Sequence, residues 1–307
     1  MLVSIVRFWY NGWIKTTYID PSFHFKYFGF EWVKDFGIYT YLIFIICALS
    51  SIFISIGYKY RYSIIMFFLS FTYIELIDKT TYLNHYYFIS SISFLMCFLP
   101  LNCYFSIDSF LSKKSIKIQP KWTVDSIKLM LTIVYFYAGI AKINSEWLLK
   151  AMPLSIWLPS KYDLPLIGSN LMQEQWVHYL MSWGGMFYDL LIPFLLLYKR
   201  TRLFAFLLVI FFHVFTKVLF PIGMFPYIMI VASLIFFDSK THEKILKVIR
   251  KVIDYLTFKR YKIANLSKAI NSNGIKVNKL SFSIIVIFFI LQILIPLRYT
   301  LYPGELF

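Results

Sequence analysis

Residues 37–57 read Gly37-Ile-Tyr-Thr-Tyr-Leu-Ile-Phe-Ile-Ile-Cys-Ala-Leu-Ser-Ser-Ile-Phe-Ile-Ser-Ile-Gly57, with no charged side chain from end to end. That length and character match the roughly 17 to 25 apolar residues a helix needs to cross a bilayer. Further apolar runs follow at 62–77, 85–105, 124–142, 178–198, 203–220, 224–237 and 281–297. Two are weaker. Run 224–237 is short and must borrow flanking residues or sit among its neighbours, and run 62–77 carries Glu75. Composition agrees, with 59% hydrophobic, 21% aromatic and 15% charged residues, the last well under the roughly 25% of soluble domains. The expected fold is all-α, a polytopic transmembrane helix bundle of about eight spans.

The net charge of +16 would suit a nucleic-acid partner, but the placement of the charges argues for another cause. Basic residues gather in alternate connections: Lys59 and Arg61; Lys113, Lys114, Lys117 and Lys121; Lys199, Arg200 and Arg202; and then 238–280. That last segment, read as a long solvated amphipathic loop, sets Lys240, Lys244, Lys247, Arg250, Lys251, Lys259, Arg260, Lys262, Lys268, Lys276 and Lys279 against Asp238, Glu243 and Asp254. Positive loops stay in the cytoplasm, so the charge is a topology signal, with contact to anionic lipid as a further use of the long loop. No aromatic–basic pattern marks RNA binding, and nucleic acid is not an expected partner. The opposite, non-cytoplasmic side then receives Lys142, His85, Asp78 and Lys79, which lie at or near the ends of runs.

Lys142 closes the run Ile133-Val-Tyr-Phe-Tyr-Ala-Gly-Ile-Ala-Lys142, just before Asn144, Ser145 and Glu146. An ionisable group at membrane depth is costly and marks function by default, although a lysine can also snorkel its ammonium to the interface. Convergence of Lys142 with His85, Asp78 and Lys79 favours a site over four separate anchors. Asp189, after Gly184 and Gly185 in Trp183-Gly-Gly-Met-Phe-Tyr-Asp189, can pair with a cation from a neighbouring helix that the glycines admit closely, or serve only as a helix–helix lock. His213 and Lys217 share a face at i and i+4 and read equally as a proton relay or as an interface anchor. His24, His178 and His242 fall in loops or at run ends and are expected to be solvated.

No His-Glu-x-x-His, glycine-rich phosphate loop or paired-cysteine spacing occurs, so no metal or nucleotide is expected. Cys47, Cys97 and Cys103 lie in or beside apolar runs as small hydrophobes, and Cys97 and Cys103, placed on one helix, cannot pair without disrupting it. The stretch Asp20-Pro-Ser-Phe-His-Phe-Lys-Tyr-Phe-Gly-Phe-Glu-Trp-Val-Lys34 is too aromatic for an ordinary loop and too charged to span. It fits an interfacial aromatic girdle or a lid over an outer cavity.

These motifs carry a family resemblance. Thr72-Tyr-Ile-Glu-Leu-Ile-Asp-Lys-Thr-Thr-Tyr-Leu-Asn-His-Tyr-Tyr-Phe88 resembles the Leu-Asp-Lys-Thr and Asn-His segment of vitamin K-dependent gamma-carboxylases and their bacterial relatives, the horizontally transferred transmembrane (HTTM) family. In order along the chain, Phe28-Gly-Phe-Glu-Trp32, Tyr137-Ala-Gly-Ile-Ala-Lys-Ile-Asn-Ser-Glu-Trp147, Gly184-Gly-Met-Phe-Tyr-Asp189, Pro221-Ile-Gly-Met-Phe-Pro-Tyr227 and Pro296-Leu-Arg-Tyr-Thr-Leu-Tyr-Pro-Gly304 are also similar. The resemblance covers almost the whole chain and implies a single HTTM transmembrane domain over 1–307.

The resemblance also implies chemistry. Family enzymes oxidise a vitamin K hydroquinone with dioxygen to the epoxide, and the strong base so formed removes a proton from a peptide glutamate, which captures carbon dioxide. Lys142 is similar in position to the lysine that deprotonates the hydroquinone, and burial favours the neutral amine such a base requires. Asn84 and His85 would join it, Asn84 orienting an oxygen and His85 moving or holding a proton. Asp78, Lys79, Asp189, His213, Met224 and Phe225 are the expected pocket residues. The quinol would enter from the membrane and a glutamate-containing peptide from outside, in a protein of a bacterial inner membrane whose site faces the non-cytoplasmic side.

Departures from the family pattern are specific. His213-Val-Phe-Thr216 stands where members often have His-x-x-Asn. The carboxylases continue past the region of Tyr302-Pro-Gly304 into a large outer domain, expected to be absent here, and Met1 to Trp13 resembles only the end of their first membrane helix. Besides a carboxylase or quinol epoxidase, the sequence therefore leaves two other readings. One is a non-enzymatic HTTM protein of peptide maturation or immunity. The other is a transporter with Glu75, Asp189 and His213 on a proton path, which no internal repeat supports.

Overall fold

The computed structural model describes residues 1–103, 106–112, 121–160, 170–257 and 278–301. Lys113, Lys114, Lys117, Lys259, Arg260, Lys262, Lys268, Lys276 and the Tyr302-Pro-Gly304 motif lie outside the described residues. Every element among those described is helical. Two compact units divide the chain, Met1–Val124 with Ile263–Ile290 and Asp125–Lys262 with Leu291–Phe307.

The first unit contains α1 (Leu2–Tyr10), α2 (Trp13–Tyr18), α3 (Thr40–Ile56), α4 (Tyr60–Ile77), α5 (Asn84–Phe98) and α6 (Ile107–Leu111). At 9 residues, α1 rises about 14 Å, about half of a hydrocarbon core. Leu42, Ile45, Leu49 and Phe53 form an exposed stripe on α3; such a stripe is stable where the solvent is lipid. The α3–α4 turn passes through Gly57 in the left-handed region (φ 64°), where an added Cβ would sit 2.4 Å from Ser106 Cβ. Asp108 closes this corner by accepting from the backbone N–H of Lys59 (2.7 Å) and Tyr60 (2.9 Å) and from Asn102 Nδ2 (2.8 Å), so two of the free donors that begin α4 are satisfied. Between these helices, hydroxyls bond back to their own backbone, as Ser70 Oγ does to Met66 O at 2.7 Å. Thr72 Oγ1 reaches Ser90 Oγ at 3.2 Å and joins α4 to α5, a contact that suits helices without water between them.

The second unit holds most of α7 (Lys121–Ile140), then α8 (Ser145–Lys150), α9 (Leu154–Trp157), α10 (Gln175–Leu197), α11 (Arg202–Leu219), α12 (Phe225–Ala232) and α13 (Ser239–Thr257); α14 (Lys279–Leu301) contributes to both units. Arg202 fastens one end of this unit. It donates to Leu196 O (3.0 Å) and Leu197 O (3.2 Å) at the carbonyl end of α10 and to Asp238 Oδ1 at 3.1 Å, placing a cation where the helix dipole is negative. Short helices α8 and α9 bridge toward α10. Trp147 Nε1 donates to Ser182 O (2.8 Å), Tyr179 Oη to Leu149 O (2.8 Å) and Trp183 Nε1 to Leu148 O (3.1 Å), while Leu154, Leu158, Met172 and Leu219 form an apolar core beneath.

Among the described residues, six helices are long and apolar enough to cross a membrane: Gly37–Ile56, Tyr60–Ile77, Lys121–Ile140, Gln175–Leu197, Arg202–Leu219 and Lys279–Arg298. The polytopic helical fold is thus the expected one. The remaining two apolar runs are shorter helices, because α5 stops before Pro100 and α12 begins at the Phe225-Pro226 step and tightens into the 3-10 turn Ser233–Phe236. Three local expectations are corrected. Segment 238–280 is not a loop at its start, since α13 occupies Ser239–Thr257. Helix α5 ends at Phe98, so Cys103 lies beyond the helix that carries Cys97. His24 and His178 are buried, not solvated, His178 Nε2 lying 2.8 Å from Met172 O.

Candidate functional site

Helix α7 stops at Ile140, and a turn closed by Ala141 N to Tyr137 O (2.9 Å) and Lys142 N to Gly139 O (3.0 Å) follows. Lys142 therefore stands past the helix end and folds its side chain back along it. Its Nζ donates to Ala138 O at 3.0 Å and to Asp189 Oδ2 at 2.6 Å, and lies 5.4 Å from the centre of the Trp147 ring. Asp189, on α10, is 5% exposed. The lysine side chain retains 21% exposure. A buried carboxylate needs a partner of this kind, and Lys142 supplies it.

The close approach of α7 to α10 that this pairing requires is not made by Gly184 and Gly185. A Cβ at either would meet nothing within 4 Å, whereas at Gly139 it would fall 2.7 Å from Leu190 Cγ and 2.9 Å from Leu190 N. Gly139 is the contact, one turn before Lys142. Gly184 and Gly185 have another effect: with no side chain they leave room in the wall of a cavity.

That cavity has a volume of about 650 Å³ and is lined by residues of α7 through α12, within the 300–1,000 Å³ typical of small-molecule sites. Its walls are almost wholly apolar, from Leu154, Leu195, Leu208, Phe215, Phe225 and Met229 among others. The few polar groups are Lys142 with Asp189, then Tyr135, Tyr188, His213 and Thr216. Tyr135 Oη and His213 Nε2 share a hydrogen bond of 3.0 Å. The Tyr188 ring stacks on Phe212 with centroids 3.8 Å apart, and its buried hydroxyl lies beside that of Tyr135. These hydroxyls are among the few polar groups in an otherwise apolar wall. Phe187, Leu191 and Phe211 line the cavity yet are 49%, 54% and 66% exposed. The cavity thus opens on the outer flank of α10 and α11.

Of the residues singled out in the sequence, Lys142, Asp189, His213 and Phe225 line this one cavity. Phe225 meets the His213 ring edge-on at 6.3 Å, and Met224 is the half-buried residue just ahead of α12. Lys217 does not join His213, for its Nζ donates to Ile222 O at 2.8 Å and fixes the turn before α12. The sequence reading missed Tyr135, Tyr188 and Gly139. All three, like Trp147, stand inside quoted stretches, but nothing in the spacing distinguishes Tyr135 and Tyr188 from the other aromatics of their runs.

The remaining candidates belong to the first unit. Asn84 is the exposed first residue of α5, and His85 is half-buried with its ring against Tyr86 at 4.6 Å. Lys79 is exposed, and its backbone N–H donates to Phe25 O at 2.7 Å. Asp78 is 6% exposed and fully engaged. It accepts from Thr80 N and Thr80 Oγ1, both at 2.8 Å, and contacts His24 Nδ1 at 2.9 Å. Burial alone would push the Asp78 carboxyl up, but the Thr80 N–H, the His24 ring and the Thr80 hydroxyl together hold it below the ordinary carboxylate range. With Lys26 Nζ on Ile77 O (2.8 Å) and Tyr73 Oη on Lys34 O (2.8 Å), these bonds latch the aromatic segment 20–36 onto the end of α4.

No solved structure matches the chain. The apolar helices make it a multi-pass membrane protein. The HTTM domain family matches residues 1–240, a span that includes both the latched segment and every residue around the cavity. On that match the chain belongs to the HTTM domain family.

Proposed function

We propose that this protein is a membrane quinol oxidase of the gamma-carboxylase type, with Lys142 as the base. The observation that carries the reading is the placement of Lys142 and Asp189, 2.6 Å apart, on the wall of an apolar cavity of about 650 Å³. Apolar walls suit a quinol ring and its hydrocarbon tail. Transfer of the ammonium proton to Asp189 Oδ2 leaves a neutral amine facing the cavity, able to take a proton from a quinol hydroxyl. The Tyr188 hydroxyl, with the Tyr135–His213 pair beside it, is available to the second oxygen of the ring. In the overall reaction the quinol and dioxygen give the epoxide and water: one oxygen atom is retained, and the other leaves with the two quinol hydrogens.

The reading extends to carboxylation, in which base from the oxidation removes a proton from a peptide glutamate and the carbanion adds carbon dioxide. Asn84 and His85 are the family-matched residues proposed to share this work. Alternation of basic connections supports a site facing the non-cytoplasmic side of a bacterial inner membrane. The test is reduced vitamin K supplied to purified protein in lipid: wild type forms the epoxide and Lys142→Ala does not. A folded wild type with no activity, or equal activity in both, removes the reading. That outcome favours the second reading, a non-enzymatic HTTM protein in which the Lys142–Asp189 pair is a lock between α7 and α10.

A further inference from the structure

Helix α13 begins where the membrane part of the second unit ends. Asp238, the residue before it, is held by Arg202 at 3.1 Å, at the point where α10 finishes and α11 starts. The helix is thereby tethered at the level of the span ends, and all but its first two residues lie beyond the 1–240 matched to the family.

Its sequence, Ser239-Lys-Thr-His-Glu-Lys-Ile-Leu-Lys-Val-Ile-Arg-Lys-Val-Ile-Asp-Tyr-Leu-Thr257, has two faces. Lys240, Lys244, Lys247 and Lys251 recur at i, i+4, i+7 and i+11, which is one side of a helix, and all four are exposed. Ile245 and Leu246 fall away from that stripe, yet they are 40% and 41% exposed, and nothing among the described residues covers them fully. An apolar side left open beside a lysine stripe, on a helix fixed at headgroup level, suits a surface that is greasy below and negative above.

We propose that α13 lies along the membrane and docks on anionic lipid headgroups, its Ile245 side in the acyl boundary and its four lysines among the phosphates. The alternation of basic connections puts this helix on the cytoplasmic side, where anionic lipids are concentrated.

The test uses the full chain with Cys47, Cys97 and Cys103 replaced by serine and Ile245→Cys carrying an environment-sensitive fluorophore. Single copies are placed in nanodiscs of phosphatidylcholine with or without phosphatidylglycerol. In discs with phosphatidylglycerol the emission shifts to the blue and quenching by neutral acrylamide falls severalfold, whereas a fluorophore at Lys244→Cys stays accessible. Changing Lys240, Lys244, Lys247 and Lys251 together to glutamine removes the shift without altering thermal unfolding of the protein. Equal quenching in both discs overturns the proposal and leaves α13 to a soluble partner. So does a shift that survives the four substitutions, which assigns the apolar side to the protein's own surface.

Discussion

Both units pair carboxylates with donors of their own fold, and they treat them differently. In the first unit Asp78 and Asp108 sit at opposite ends of α4, each with two or more protein donors within 2.9 Å. Neither lines the cavity of the second unit. There Asp189 has, among the described residues, one side-chain partner, Lys142, and the pair borders about 650 Å³ of apolar space. Charge that is saturated by its own fold maintains the fold. Charge paired once and left against a cavity is available to something that enters. This is the physical distinction that separates the latch from the candidate site.

The largest effect that could break the contrast is at Lys142. Lys142→Met should lower epoxide formation by about 10²- to 10⁴-fold and should destabilise the protein by roughly 3 to 5 kcal/mol, because Asp189 is left buried without a counter-charge. Asp189→Leu should cost less, since the lysine is partly exposed and can reach water. The double variant should melt near wild type and remain inactive. A double variant no more stable than Lys142→Met would show that the pair is not a coupled unit.

Gly139→Ala comes next. The new Cβ would press on Leu190 Cγ and backbone N, costing about 1 to 3 kcal/mol and displacing Lys142 from Asp189. Gly185→Ala meets open space and should leave the melting temperature unchanged.

Asp108→Ala tests the saturated class. Loss of its bonds to Lys59 N and Tyr60 N should cost about 0.5 to 2 kcal/mol while quinol chemistry is unchanged. Burial raises the Asp108 carboxyl, but the Tyr60 N–H, the Asn102 amide and the Lys59 N–H outweigh it and hold the group below the ordinary range; Asp78 behaves alike. A depressed carboxylate stabilises the fold above the unfolded value of about 3.9 and loses that contribution as pH falls through the folded value. Melting temperature should therefore drop on acidification below about pH 4, and by less in Asp108→Asn. Tyr188→Phe should have a small structural effect. Its hydroxyl lies in the cavity wall beside Tyr135, so stability should fall by no more than about 1 kcal/mol while quinol affinity falls about tenfold, one hydrogen bond's worth.

The helical fold was legible because long uncharged runs admit few alternatives in lipid. Asp189 also declared in sequence that it needed a cation, yet no spacing rule identifies Lys142, which joins it only through α7–α10 packing at Gly139. The histidines show the opposite failure. His178 and His24 looked solvated by position, but a carbonyl at Met172 and the carboxylate of Asp78 take them inside, and partners so remote or so generic leave no pattern. For α13 the signal was present: lysines at i, i+4, i+7 and i+11 are a helical period, obscured by the habit of reading charge runs as loops.

The exposed flank of α10 and α11 bears on how the protein must be assayed. Phe187, Leu191 and Phe211 border the cavity and face outward, so an apolar solute reaches it from the bilayer, where such solutes partition. Encounter is then governed by how many solute molecules share each leaflet, and diluting the buffer changes nothing. A half-saturation value has meaning only as a mole fraction of lipid. Two laboratories using the same millimolar quinol with different amounts of phospholipid should report different values for one unchanged protein.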